Sequence, residues 1–364
     1  MSTCLRYSKI ISSRACTRSH ISNQLVPSTI RPPFPRQRAY ATYFPGESAT
    51  SNPLFVKIVE CGARDGLQNE PSIVDVETKV QLIERLGDAG LSSIESGAMV
   101  SKKGVPQMAT TPEVLTSMKQ RRGVSYPVLV PNVRGLENLL QIQGSSSGPI
   151  VDEIAIFTAA SDSFNKANTN KTVQESLVEL EKVVKLAKDK GLRVRGYVST
   201  VITCPFEGAI EPRKVREVGN ALLDMGCYEV SLGDTVGTGT EKTVKALMEE
   251  VVRSMPIGKL AVSYNHDTFG MAVANVMTAL QYGVRTVDSS VAGLGGCPFS
   301  PGATGNAATE DLVHALHGAG YETGVDIRKL VGTGVWISEK LNRRNESRAG
   351  RGLSARWKRE EGKA

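Results

Sequence analysis

The chain reads as an α/β protein, a (β/α)8 TIM barrel with a C-terminal helical extension. Three observations predict this. Eight short β-rich runs recur between residues 56 and 290, and most are followed by a helix-length stretch, the pattern of parallel strands joined by crossover helices. No G-x-G-x-x-G follows the first run, which argues against a doubly wound dinucleotide-binding sheet. The polar residues that could carry chemistry fall at the ends of these runs, where a barrel builds its active site.

The strands are expected at 56–60, 92–96, 127–130, 153–157, 193–199, 228–232, 259–264 and 286–290. The clearest helices are expected at 74–89, 172–190, 212–225, 240–255, 271–282 and 307–317. Over 172–190, Val173, Leu177, Leu180, Val184 and Ala187 fall on one helical face. Pro212 suits a first helical turn, and Gly191 and Gly226 suit helix ends. The barrel is expected over 52–320, an added helical segment over 321–345, and a flexible basic tail over 346–364, where Arg, Lys, Ser, Gly and Glu dominate.

The net charge of +7 is local. Residues 1–46 hold Arg6, Lys9, Arg14, Arg18, Arg31, Arg36 and Arg38 and no acidic residue, so the rest of the chain is neutral overall. Once that segment's charge is set aside, nucleic-acid binding has no support. A Ser-, Thr- and Arg-rich, acid-free start reads as a mitochondrial transit peptide, with cleavage expected after Tyr40 and the mitochondrial matrix as destination. No apolar run approaches the roughly 20 residues needed to cross a bilayer. Six cysteines are scattered without a C-x-x-C pair, so neither a disulfide framework nor a zinc knuckle is indicated. Cys61, Cys204 and Cys227 read as small buried side chains.

Two segments stand out. Residues 290–299 read SVAGLGGCPF and place Cys297 on a loop of small residues, where glycine lets backbone and ligand approach closely. Residues 59–69 read VECGARDGLQN and set Arg64 beside Asp65 after the first strand. Glu95 ends the second strand, Asp234 follows the sixth, His266 and Asp267 the seventh, and Asn306 opens the next helix. Asp65, His266 and Asn306 offer a carboxylate, an imidazole and an amide oxygen, a set suited to Mg²⁺ or Mn²⁺ with open positions rather than to a closed zinc site. The guanidinium fork of Arg64 suits an oxyanion or a thioester carbonyl. The Cys297 thiol, protonated at neutral pH, can act as a general acid. Glu95 and Asp234 could orient water, metal or Arg64, or equally belong to ion pairs of the barrel core. Asp267 reads as a partner that orients His266. His314 and His317 sit on a late helix and read as structural.

These two segments resemble the 3-hydroxy-3-methylglutaryl-CoA lyase family of metal-dependent TIM-barrel enzymes. Shorter matches occur in the same order: 105–108 (VPQM), 130–133 (VPNV), 195–199 (RGYVS), 204–208 (CPFEG), 225–229 (MGCYE) and 303–306 (ATGN), so the resemblance spans about 55–345. It implies an acyl-CoA substrate, a divalent metal, a homodimer, and cleavage of a carbon–carbon bond to acetyl-CoA and acetoacetate. It further implies that Asp65, His266 and Asn306 hold the metal, that Arg64 stabilises the enolate, and that Cys297 protonates it.

The chain departs from the family pattern at one ligand. Residues 260–270 read LAVSYNHDTFG, so Tyr264 stands where the family's H-x-H motif has its first histidine. Residues i and i+2 of a strand point the same way, and a neutral phenol is a poor ligand and a poor base at pH 7. Three readings are open: a misread splice junction, an active enzyme with three protein ligands, or a paralogue with altered activity or another 3-hydroxyacyl-CoA substrate. A non-catalytic acyl-CoA-binding barrel is the alternative of another class. Ala98, where the family tends to carry Ser, bears on substrate preference.

Overall fold

The computed structural model describes residues 52–145, 150–263, 266–296 and 305–363. Eight short runs pair in parallel: β1 (Lys57–Glu60), β2 (Ser93–Ile94), β3 (Val128–Leu129), β4 (Glu153–Ala159), β5 (Arg193–Ser199), β8 (Glu229–Gly233), β9 (Leu260–Ser263) and β10 (Thr286–Ser289). Their order is β2-β1-β10-β9-β8-β5-β4-β3. Backbone bonds from Ile94 N to Ser125 O (3.0 Å) and from Ser96 N to Pro127 O (2.9 Å) join the β2 and β3 segments and close the barrel. All eight expected strands are present. The strands are buried on both faces, and Val, Ile, Leu and Ala supply most of their buried residues, with buried polar residues such as Glu60, Arg195, Glu229 and Asp288 interspersed.

Helices cover the outside: α1 (Val76–Asp88), α2 (Thr111–Ser117), α3 (Val133–Gly144), α4 (Asp162–Thr169), α5 (Val173–Asp189), α6 (Pro212–Met225), α7 (Glu241–Val251), α8 (Ala272–Gln281), α9 (Thr309–Gly318), α10 (Ile327–Lys340) and α11 (Arg348–Glu361). Their starts are set by local chemistry. Thr172 and Glu175 form a reciprocal capping box on α5, Pro212 occupies the first turn of α6, and Gly226 ends it at φ 109°. A small antiparallel hairpin, β6 (Thr203–Cys204) with β7 (Gly208–Ala209), lies in the loop after β5 and was not anticipated. Among the described residues no helix is long and apolar enough to cross a membrane.

The helical extension expected over 321–345 corresponds to α10. The tail expected over 346–364 is corrected, because 348–361 forms α11, which packs on α9 and α10. Its composition hid the reason. Ser347 caps α11 by accepting from Gly350 N (2.8 Å) while its hydroxyl donates to Asp311 Oδ1 (2.6 Å) on α9. Ala349 N also donates to Asp311 (2.6 Å), and Arg328 stacks over Trp357 at 5.2 Å. The helix is held by its ends and an aromatic contact rather than by an apolar stripe. Residues 1–46, read as a transit peptide, lie outside the described residues.

Candidate active site

β1 delivers the first functional pair. The chain leaves Glu60 into a single wide turn, Gly62–Gly66, in which Gly66 N bonds to Cys61 O (3.1 Å). Wide turns of this i→i+5 kind recur at functional sites. This one turns Arg64 back over the barrel mouth. Its Nε donates to Glu95 Oε2 at 2.7 Å and its Nη1 to Asp65 Oδ1 at 2.6 Å. Burial opposes the guanidinium charge, but Glu95 and then Asp65 more than offset this, so Arg64 stays charged. Glu95 is fully buried and shared, its Oε1 accepting from Tyr197 OH (2.7 Å).

Behind this pair lies a layer of polar side chains inside the barrel. Tyr197 OH accepts from Arg195 Nη1 at 2.6 Å. Arg195 then grips Asp288 with Nη1 (3.0 Å) and Nη2 (2.7 Å) and donates from Nε to Glu229 (2.7 Å). Ser231 completes Asp288 (2.8 Å) and Thr286 completes Glu229 (2.8 Å). Buried charges persist only when paired and hydrogen-bonded in this way. The chain Arg64–Glu95–Tyr197–Arg195–Asp288 therefore fixes the orientation of the guanidinium at the mouth. Sequence reasoning missed Arg195, Tyr197 and Asp288. The available signal was an Arg and a Tyr two apart in a buried strand, hence pointing the same way.

Asp65 faces the other way as well. Its Oδ2 accepts from Asn306 Nδ2 at 2.8 Å. Burial would raise its pKa, but Arg64, His266 and the Asn306 amide hold it below the usual carboxylate range. Asn306 and His266 are brought together by backbone pairing of their segments, with Asp267 N bonded to Gly305 O (3.0 Å). Burial pushes His266 below the usual histidine range, with Asp65 pulling the other way. Burial therefore favours the neutral ring, the form that can ligate a metal.

Among the described residues, two atoms at this junction, His266 Nδ1 and Asn306 Oδ1, are buried without a hydrogen-bond partner. An orphaned acceptor costs about 1–3 kcal/mol unless something satisfies it. With the Asp65 carboxylate beside them, these atoms fit a divalent cation that takes oxygen and nitrogen ligands. Among the described residues no group of three His, Cys, Asp or Glu side chains is poised for a metal; the third donor here is an amide.

Asp234 sits elsewhere in the mouth. Its Oδ1 accepts from Gly237 N (3.1 Å) and its Oδ2 from Gly239 N (2.7 Å), so it ties down the loop between β8 and α7. Burial raises its pKa despite these bonds. Asp267 caps α8 through Ala272 N (2.9 Å) and meets Arg348 of α11 at 3.2 Å. His317 bonds Thr323 (2.9 Å), a structural contact. Cys61, Cys204 and Cys227 are buried free thiols. Tyr264 and Cys297 lie outside the described residues.

A closed (β/α)8 barrel thus carries at its C-terminal mouth an arginine held between two carboxylates, beside Asp65, Asn306 and His266. Comparison with known proteins narrows the class. The HMGL-like family model matches residues 55–337. The cytoplasmic 3-hydroxy-3-methylglutaryl-CoA lyase of Rattus norvegicus is 49% identical over 81% of this chain and 84% of its own. The mitochondrial hydroxymethylglutaryl-CoA lyase of Bos taurus is 50% identical over 81% of this chain and 89% of its own. The crystal structure of hydroxymethylglutaryl-CoA lyase from Pseudomonas aeruginosa superposes with a TM-score of 0.79 at 45% identity, covering 84% of this chain and 99% of that one. The chain belongs to the HMGL-like family and is an enzyme of the lyase class.

Proposed function

We propose that this protein cleaves 3-hydroxy-3-methylglutaryl-CoA to acetyl-CoA and acetoacetate, a divalent-metal-dependent retro-Claisen reaction. The observation that carries the reading is the Arg64 guanidinium, held by Glu95 and Asp65 beside the orphaned His266 and Asn306 atoms. Asp65, His266 and Asn306 would hold Mg²⁺ or Mn²⁺, which supplies Lewis-acid polarisation of the substrate oxygens. Arg64 would stabilise the negative charge that develops on the thioester oxygen as the carbon–carbon bond breaks. Glu95 and Tyr197 position Arg64, and Asp234 shapes the loop that borders the mouth. Cys297 would donate the proton that converts the enolate carbon to the acetyl methyl group. Tyr264 stands at the position of the family's first histidine ligand, so the base step falls to another group, a bound water or a neighbouring carboxylate.

The acid-free N-terminus supports a mitochondrial matrix location. The test is product stoichiometry. Purified protein with 3-hydroxy-3-methylglutaryl-CoA and Mg²⁺ is expected to yield acetyl-CoA and acetoacetate in equal amounts. Thermal stabilisation by the CoA ester without products would refute the lyase reading in favour of a binding barrel.

A further inference from the structure

Glu60 is the last residue of β1 and is completely buried, yet it belongs to neither the donor set nor the Arg64 chain. Its Oε1 accepts from Gly62 N (2.7 Å) and Val291 N (2.9 Å), and its Oε2 from Thr309 Oγ1 (2.6 Å). These three donors begin three different segments. Gly62 opens the turn that carries Arg64 and Asp65. Val291 opens the short turn Val291–Gly293 after β10. Thr309 starts α9, three residues past Asn306.

The turn after β10 is itself seated on the Asn306 segment. Ser290 N bonds Ala307 O (2.9 Å), and Thr309 N bonds Ser290 O (3.1 Å). Gly295 lies so close to the Asn306 amide that a side-chain carbon there would sit 2.6 Å from Nδ2. Gly62 is constrained similarly, because a Cβ would come within 2.5 Å of Glu60 Oε1. Only glycine at 62 admits the carboxylate this close.

We infer that Glu60 is a positioning residue that locks the Asp65 turn to the Asn306 segment and so sets the separation of two candidate metal donors. The inference rests on the cation site proposed above. The role is geometric rather than one of charge. Burial pushes the Glu60 carboxyl up to about 7, against its bonds to Thr309, Val291 and Gly62. A neutral form keeps all three contacts, because Thr309 Oγ1 also pairs with Ser289 Oγ (2.9 Å) and that hydroxyl pair can reverse.

Glu60→Asp and Glu60→Gln separate reach from charge. Aspartate is one methylene too short to span the three donors. Glutamine keeps the length, accepting the two N–H groups at its oxygen and donating its amide to Thr309. Mn²⁺ binding to the full-length protein is followed by electron paramagnetic resonance of the free ion, and amide hydrogen exchange by mass spectrometry over 61–66 and 290–296. Glu60→Asp is expected to weaken Mn²⁺ binding by about tenfold or more, the usual effect of disturbing groups behind a metal ligand. It is also expected to speed exchange in both segments together, beyond any change elsewhere in the barrel. Glu60→Gln is expected to rescue most of the affinity and the protection. Unchanged binding and exchange in folded Glu60→Asp overturn the inference, as does a glutamine variant as weak as the aspartate one. Should Glu60→Asp not fold, Thr309→Val removes the Oε2 partner together with the Ser289 contact; unchanged exchange over 290–296 then overturns the inference. If the unsubstituted protein binds no Mn²⁺, the cation reading fails by itself, and the exchange data decide the role of Glu60.

Discussion

Removing one oxygen, by Tyr197→Phe, tests the polar layer that orients Arg64. The hydroxyl donates to Glu95 Oε1 at 2.7 Å and accepts from Arg195 Nη1 at 2.6 Å, all in a fully buried setting. Hydrogen bonds to charged groups are worth about 1.5–3 kcal/mol each. Their loss is unequal here. Arg195 Nη1 keeps Asp288 Oδ2 at 3.0 Å, so it is not orphaned. Glu95 Oε1 loses the donor found for it, whereas Oε2 keeps Arg64. The net cost is therefore close to that of one unsatisfied buried carboxylate oxygen, about 2–3 kcal/mol. Urea unfolding measures it directly. A double-mutant cycle with Glu95→Gln isolates the pair, since contacting residues couple by about 0.5–3 kcal/mol. Turnover is expected to fall about tenfold, the kinetic equivalent of about 1.4 kcal/mol, as Glu95 loosens behind Arg64. A stability loss below about 0.5 kcal/mol, within the range of an ordinary surface change, would refute the account of this layer. So would a coupling of zero.

Two further outcomes follow from other parts of the molecule. Tyr264→His restores the residue that the family pattern carries at that position, and it is expected to raise kcat; equal or lower activity with correct metal loading would sink the assignment of position 264 to the site. Glu310 is buried, its carboxylate accepts from Ala292 N (2.9 Å), and burial chiefly, helped by Glu60, raises it from 4.5 to about 8. The folded state then binds more protons than the unfolded one, so the stabilisation is present at low pH and is lost as pH rises from about 4.5 through 8. Relative to Glu310→Gln, the unsubstituted protein is expected to lose a few kcal/mol between about pH 5 and pH 8.5, at about 1.4 kcal/mol per unit of pKa shift; parallel urea stabilities across that window would contradict this.

How much of this was legible in sequence depended on the kind of force involved. The barrel strands were legible because short runs rich in β-branched and other apolar residues recur between helix-length stretches, and burial of that apolar surface dominates the fold. Arg64, Asp65, His266 and Asn306 could be grouped from the sequence because all follow barrel strands, and the fold brings them together. Glu95 could be placed but not assigned. Whether a buried carboxylate serves a metal or an arginine depends on what stands opposite, and Arg64 is 31 residues away. Arg195 and Asp288 were harder still, since their pairing joins β5 to β10 across 93 residues. Glu60 and Glu310 were missed because a strand-end glutamate and an acidic first helical turn both look ordinary. Only the fold aims them at the backbone of one turn. Helix α11 was misread because its composition is that of a solvated segment, while its stability comes from Asp311 and Trp357 contacts made at a distance.

If Asp65, His266 and Asn306 hold a divalent ion, carbon–carbon bond cleavage depends on that ion. The most direct test is acetoacetate release from 3-hydroxy-3-methylglutaryl-CoA by the purified protein, with Mg²⁺, with chelator, and with Mg²⁺ or Mn²⁺ restored. Release is expected to be abolished by the chelator, recovered by either ion, and absent from Asp65→Asn. Release unaffected by chelator, or absent from folded, metal-loaded protein, would contradict it.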